Sequence, residues 1–442
     1  MTVADNTPQT PRLEKARHVK YWLRCLKTLL PSMYTSNDSN RMYLAYFILS
    51  ACDLLDIINT STSPKERQEW IDWVYFCQHP GGGFRMWPGT DFGERANSEN
   101  AKWDPANIPA TYFALTSLLI LGDDLKRVHR RETLRWVYKM QRDDGSFGET
   151  LVEGKQEGGR DPRLGYCATG IRYILRGATE PGPIIINSES IPDINIDTYV
   201  NCIRLSESFD GGIADAPFHE PQAGYTFCSL GSLAFLNRLE AGHLSTARAN
   251  HAPSRPSAAV RWLLSLQTDF TDPETPPPLA LNLPPPPPTP SIQQPAPADL
   301  HQSPDKSTMW TGSVPNLAIC PSHPSSAQPT GLSGRPSKPA DTCYAFWAGA
   351  SLALLSQPLH DTPSLRAYLL ASTQHPIMGG FSKFPGDRWA DLYHSYLGLA
   401  ALSLCSSAEE REVDGVAELD AGMCVGKGVR GRLEGVWRGF ES

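Results

Sequence analysis

The chain has 442 residues, 40% of them hydrophobic, and a formal net charge of −7. That is enough for one large domain, or two to three ordinary ones, with a substantial core. The acidic balance argues against a nucleic-acid partner, and ten cysteines without dense, regular spacing argue against a disulfide framework.

The N-terminal MTVADNTPQTPRLEKARHVKYW has no apolar signal core. Apolar runs such as TYFALTSLLILG are shorter than the roughly 18 residues needed to cross a bilayer. These features predict a cytoplasmic protein with no stable membrane insertion. Cys52, Cys167 and Cys228 lie inside apolar runs and read as reduced, buried thiols.

A repeat then organises the chain. Trp73–Gln78, Trp136–Gln141 and Trp262–Gln267 each read W-x4-Q at the end of a helical pattern. The first two run into glycine-rich turns, HPGGGF and RDDGSFGE, and similar turns recur at FDGGI, TGLSGR and IMGGF. Each turn leads to a helix rich in small and apolar residues: IPATYFALTSLLIL, RLGYCATGIRYIL, AGYTFCSLGSLAFL, ADTCYAFWAGASLALL and ADLYHSYLGLAALSL. The W-x4-Q helices carry more charge, so each unit pairs an outer with an inner helix. Stacked pairs form an open solenoid or a closed ring. The apolar inner layer favours closure into an all-α, α/α barrel around an apolar funnel.

The barrel is expected over residues 1–405, broken by a proline-rich, disordered loop insertion at 268–330. Residues 406–442 read as a polar C-terminal tail without a clear site.

The inner helices begin at equivalent places, around one mouth. Asp341 and Cys343 lie at one start and His394 at the next, one repeat later. A carboxylate, a thiolate and an imidazole make a three-ligand zinc site with a fourth position open. The same residues also fit a helix cap, a small core side chain and a hydrogen-bonded core histidine, and Asp-x-Cys alone does not separate these readings. Arg335, Lys338, Lys383 and Arg163 lie near the same mouth and suit an anionic head group. Tyr166, Tyr225, Phe227, Tyr344, Phe346 and Trp347 are the funnel's candidate aromatics, or ordinary core.

GRPSKPADTCYAFW, DPRLGYC and SFDGGIADAPFHEPQAGYTFC resemble the β subunits of protein prenyltransferases, most closely the geranylgeranyl type I enzymes. The likeness runs from RHVKYWLRCL to GGFSKFPGDRWADLYHSYLG. It implies an α/α barrel that pairs with a separate α subunit. It further implies transfer of a geranylgeranyl group from its diphosphate to the cysteine of a C-terminal Cys-a-a-X motif, on proteins such as small GTPases. By resemblance, Asp341, Cys343 and His394 bind one Zn2+ per β subunit. Arg335, Lys338 and Tyr344 hold the diphosphate. Lys383 stands where farnesyl enzymes have a magnesium-binding Asp, which implies no Mg2+ requirement. Arg163, Tyr166, Tyr225, Cys228 and Trp347 match the isoprenoid pocket.

Two departures stand out. Gln222, followed by Gly224 and Tyr225, replaces the family's diphosphate histidine, with His219 nearby as a substitute. Tyr43 matches a position that is Trp in farnesyl and Thr in geranylgeranyl pockets, and so narrows the pocket. Leu397 matches a Tyr or Phe and widens it. A farnesyl-transferring or dual-specificity β subunit, or a non-catalytic binding scaffold, are the alternatives. A terpene cyclase shares the barrel, but the chain lacks that family's D-x-D-D cluster.

Overall fold

The computed structural model describes residues 11–177, 179–239, 252–269, 329–359 and 361–441. Most of the 268–330 insertion lies outside them.

Six inner helices, first to sixth in chain order, run Arg41–Leu54, Ile108–Leu121, Pro162–Arg176, Ala223–Phe235, Thr342–Leu354 and Leu392–Cys405. Five were expected; the structure adds the first, Arg41–Leu54. Each packs on the next, and the sixth packs on the first, which closes the ring. Their residues are buried on nearly every face because small and apolar side chains encircle each helix. Outer helices precede them at Lys15–Lys27, Pro64–Phe76, Arg130–Met140, Ile196–Leu205, Pro256–Leu264 and Thr362–Ala367. Four short two-stranded pairings decorate this all-helical frame.

The glutamines of W-x4-Q explain how neighbouring repeats are joined. Gln141 donates from Nε2 to the Asn195 carbonyl at 2.9 Å, and its Oε1 accepts from the Asn195 N–H at 2.7 Å. Asn195 caps the next outer helix. Gln78 makes the same two-way clamp to Arg127 and His129, and Gln267 to Asp361. A side-chain amide thus satisfies main-chain groups at a helix start. Two positions without the tryptophan do equivalent work. Glu207 accepts from the Ser254 N–H, and Gln374 ties Arg12 and Glu14 to the last repeat. Gln374 also meets the buried His18 at 3.1 Å. Burial pulls the His18 imidazole down to about 4, so it is neutral.

The glycine turns serve the same seams. Gly145 and Gly379 have positive φ. A Cβ there would sit 2.4 Å from the Thr198 carbonyl oxygen and 2.5 Å from the Arg17 carbonyl oxygen, on the next outer helix in the ring.

The insertion leaves and returns at one place. Gln267–Thr268 pairs antiparallel with Gly331–Leu332, so the barrel strut is continuous across it.

The segment expected to be a polar tail is instead packed into the fold. After the helix Ala408–Asp414 comes a hairpin, Leu419–Asp420 with Val425–Gly426, and then the helix Lys427–Glu441. Met423, Cys424, Val425, Val429 and Leu433 are buried. Trp437 donates to the Ile174 carbonyl at 3.0 Å. No described helix is long and apolar enough to cross a membrane.

If the glutamine clamp closes the ring, Gln374→Ala removes the seam between first and last repeats and strands polar groups of Glu14 and His18. The expected loss is about 2 kcal/mol, read as a lower thermal or denaturant midpoint. An unchanged midpoint would show that the seam does not depend on this side chain.

Candidate active site

The starts of the inner helices are capped by side chains: Asn107, Asp161, Gln222, Asp341 and Asp391 for the second to sixth. These caps form a polar rim at the starts of the inner helices. Asp341 Oδ1 accepts from the Cys343 N–H at 2.8 Å, which turns the Cys343 side chain toward the sixth helix. Asp391 accepts from the His394 N–H at 2.9 Å, and its Oδ2 lies 2.6 Å from His394 Nδ1.

The two caps together build a cluster. Donor atoms of Asp341, Cys343 and His394 lie within 4.8 Å of one another, and His394 Nε2 is 3.4 Å from Asp341 Oδ1. Two ligand atoms about 2.0–2.1 Å from a tetrahedral zinc ion lie about 3.4 Å apart, so the spacing fits. One oxygen, one sulfur and one nitrogen donor leave a fourth position open. Asp391 holds Nδ1 of His394 and leaves Nε2 to face the cluster, the carboxylate–histidine arrangement of metal sites. Asp391 was not singled out from the sequence. Its signal was the cap position three residues before His394, parallel to Asp341 before Cys343.

The electrostatics favour a cation here. Burial first, then the charge of Asp341, push the Cys343 thiol well above its usual range. Burial works against a charged His394, but hydrogen bonds to Asp341 and Asp391 outweigh it and hold the imidazole up at about 9. A divalent ion held here would displace the Cys343 and His394 protons.

Of the four predicted cations, Lys383 lies beside the cluster and the others lie at the starts of inner helices or in the turn before one. Lys383 Nζ is 3.9 Å from Asp341 Oδ2 and 4.8 Å from the Phe384 ring centre. Lys338 is exposed in the turn before the fifth inner helix. Arg335, in the same turn, is hydrogen-bonded to Glu220. Arg163 grips Asp161 at 2.8 and 3.1 Å and lies 5.8 Å from the Tyr225 ring centre.

Tyr344 and Gln222 join these two sides. Gln222 Nε2 donates to the Tyr344 hydroxyl at 3.0 Å while its Oε1 accepts from the Gly224 N–H. One N–H of the amide remains for a ligand. Burial, with the charges of Cys343 and Asp341, holds the Tyr344 phenol at about 12, so it is a neutral donor. Gly334 makes room for that ring; a Cβ there would lie 2.3 Å from it. His219, the considered substitute, is exposed and paired with Asp215 at 2.9 Å. Gln222, not His219, occupies the helix start.

Below the rim lies a cavity of about 610 Å³, within the range of small-molecule sites. Tyr43, Arg163, Tyr166, Cys228, Trp347 and Leu397 all line it. Tyr43 packs edge-on to Phe47, ring centres 4.4 Å apart, and beside Phe113. The Trp347 indole donates to the Tyr393 hydroxyl at 3.1 Å, which ties the wall to the helix that carries His394.

The candidate aromatics divide between mouth, cavity and core. Tyr225 stands at the mouth under Arg163 and is not among the lining residues. Phe346 is fully buried behind the wall. Tyr344 also belongs to the rim. In their place the cavity takes Tyr46, Phe47, Phe113, Met86, Tyr393 and Cys424. Sequence pattern could not separate these from core residues, because every inner helix is apolar all round.

The sequence model of the prenyltransferase alpha-alpha toroid domain matches residues 13–425. A geranylgeranyl transferase type-1 subunit beta of Arabidopsis thaliana is 29% identical over 404 residues, 88% of this chain and 84% of that protein. One of Dictyostelium discoideum is 28% identical over 411 residues, 88% and 90% of the two chains. A solved structure of Candida albicans protein geranylgeranyltransferase-I complexed with GGPP superimposes with a TM-score of 0.69 at 24% identity, covering 96% of this chain and 99% of that one. That superposition shares the closed ring of outer and inner helices. The chain belongs to the prenyltransferase alpha-alpha toroid family.

Proposed function

We infer that this chain is the catalytic β subunit of a heterodimeric, cytoplasmic protein geranylgeranyltransferase type I. It would transfer a geranylgeranyl group from its diphosphate to the thiol of a C-terminal Cys-a-a-X cysteine, on proteins such as small GTPases. The observation that supports this reading is a three-donor cluster with Lys383 beside it, joined through Tyr393 and Trp347 to the wall of an apolar cavity. A ligand that fits all three has an anionic head and a greasy tail, and reacts beside a thiol. The names of the two curated relatives and the geranylgeranyl donor in the solved relative support the same choice.

The residues divide the work. Asp341, Cys343 and His394 would hold one zinc ion, oriented by Asp391. Bound zinc supplies positive charge that brings a thiol, ordinarily of pKa about 8.5, to its thiolate at neutral pH. Trp347, Tyr166, Cys228 and Leu397 hold the lipid tail and exclude water from it. The acceptor sulfur bonds the first carbon of the prenyl chain as the carbon–oxygen bond to diphosphate breaks, and the electron pair leaves with the diphosphate. Arg335, Lys338 and Tyr344 meet that growing charge. Lys383 supplies a fixed cation at the mouth, which makes Mg2+ dispensable. Gln222 steadies the Tyr344 hydroxyl without adding charge. Diphosphate takes Arg335 from Glu220, so part of its binding energy offsets that broken pair.

One observation favours a shorter donor. Tyr43 lines the cavity with a bulky ring. Farnesyl transfer is therefore the second reading, and Leu397, buried in the opposite sense of size, is what argues against it.

Co-expression with the cognate α subunit, followed by parallel assays with the two diphosphates and a Cys-a-a-X peptide, decides between them. The expected result is the higher kcat/KM with geranylgeranyl diphosphate; faster farnesyl transfer contradicts it. Tyr43→Thr should raise the geranylgeranyl-to-farnesyl ratio by about tenfold or more, the discrimination that small changes in an apolar pocket provide. No shift would remove Tyr43 as a length determinant.

Metal analysis tests the cluster separately. The heterodimer should hold one zinc per β subunit, and Cys343→Ala should lose it. Asp391→Asn should weaken zinc binding about 10–100-fold. Full zinc content in Cys343→Ala would overturn the ligand assignment.

A further inference from the structure

Part of the cavity lining comes from outside the ring of helices, from Cys424 in the Gly422–Cys424 tip of the C-terminal hairpin, beside Tyr46, Tyr112 and Tyr166 of the inner helices. Cys424 is the one residue of that segment among those lining the cavity.

Four tyrosines from four inner helices hold this segment, chiefly by its backbone carbonyls. Tyr166 donates to the Gly422 carbonyl at 2.8 Å and Tyr112 to the Met423 carbonyl at 2.8 Å. Tyr46 donates to the Cys424 carbonyl at 2.6 Å, and Tyr396 donates to the same oxygen. Tyr112 and Tyr166 also meet at 3.1 Å. All four tyrosines sit at the fifth or sixth position of their helices, so they form one layer. Hydrogen bonds to main-chain carbonyls fix where the segment sits, and the Cys424 sulfur, 3.6 Å from the Tyr396 hydroxyl, is thereby set at the cavity.

The backbone at that position adds a second observation. Cys424 has φ of 54°, in the left-handed region where glycine costs least. A side chain is kept there although the backbone favours none. Burial pushes its thiol up to about 12, so a small, neutral thiol lines the cavity there.

We propose that Cys424 is a chain-length gauge: the fourth isoprene unit of a twenty-carbon donor reaches it, and its side-chain size sets the longest prenyl chain the barrel accepts. This rests on the prenyl-donor reading of the cavity. Tyr43 narrows the wall, whereas Cys424 limits the depth, so the two act on different parts of the tail.

The test is thiol footprinting of the full heterodimer with methyl methanethiosulfonate, read residue by residue by mass spectrometry. Cys228, on the fourth inner helix and lining the same cavity, is the internal reference. Farnesyl diphosphate and geranylgeranyl diphosphate should both protect Cys228. Only the twenty-carbon lipid should protect Cys424, by about tenfold or more over the fifteen-carbon one. If Cys228 is protected but Cys424 is protected equally by both lipids, by neither, or never reacts in the free protein, the gauge is wrong. If neither lipid protects Cys228, the donor reading itself fails and the gauge falls with it.

Two variants give an independent readout of binding. In Cys424→Met the twenty- to fifteen-carbon affinity ratio should fall about tenfold. In Cys424→Gly, which suits the backbone, the ratio should rise and a twenty-five-carbon diphosphate should begin to bind. Thermal midpoints report whether each variant is folded. Unchanged ratios in folded Cys424→Gly overturn the proposal.

Discussion

The structure depends on one constraint: six inner helices buried on nearly every face must close into a ring. Such helices have no solvent side, so polar groups along them are paired within the fold, as Arg172 is with Asp193, and the groups that can meet a ligand gather at their starts. Capping then does two jobs. Asp341 and Asp391 satisfy main-chain N–H groups of the fifth and sixth helices, and the same carboxylates face Cys343 and His394. The helix-cap reading and the metal-ligand reading of Asp341 are therefore compatible, since one side chain serves both geometries.

Closure itself is a matter of seams. Side-chain amides at 78, 141, 267 and 374 each bind main-chain groups just before an outer helix, and Glu207 accepts from one. The seam geometry also accommodates the long insertion. Because Gln267–Thr268 and Gly331–Leu332 pair, the fifth inner helix starts where it would without the intervening residues. Arg335, Lys338 and Asp341 are thereby kept in register with the rest of the mouth.

Much of this was legible in the chain. The W-x4-Q repeats and the glycine turns predicted helix pairs in a ring, and one-repeat spacing placed His394 beside Cys343. What was not legible has physical causes. The seams at Glu207 and Gln374 lack the tryptophan that marks the motif, with Cys202 and Leu369 in its place. The first inner helix carries no preceding W-x4-Q. The tail 406–442 read as polar and glycine-rich, and the barrel grips it at the carbonyls of Gly422, Met423 and Cys424, which leave no trace in composition. The division of aromatics between cavity and wall, Phe113 against Phe346, depends on helix rotation, which a helix apolar all round does not encode.

The central claim is that the mouth holds a metal through Asp341, Cys343 and His394 with one position left for a substrate thiol. X-ray absorption at the zinc edge of the purified heterodimer measures this directly. The account predicts one sulfur at about 2.3 Å with nitrogen and oxygen ligands near 2.0–2.2 Å, and a second sulfur when a Cys-a-a-X peptide is added with a non-reactive donor analogue. A spectrum without sulfur, or one unchanged by the peptide, would contradict it.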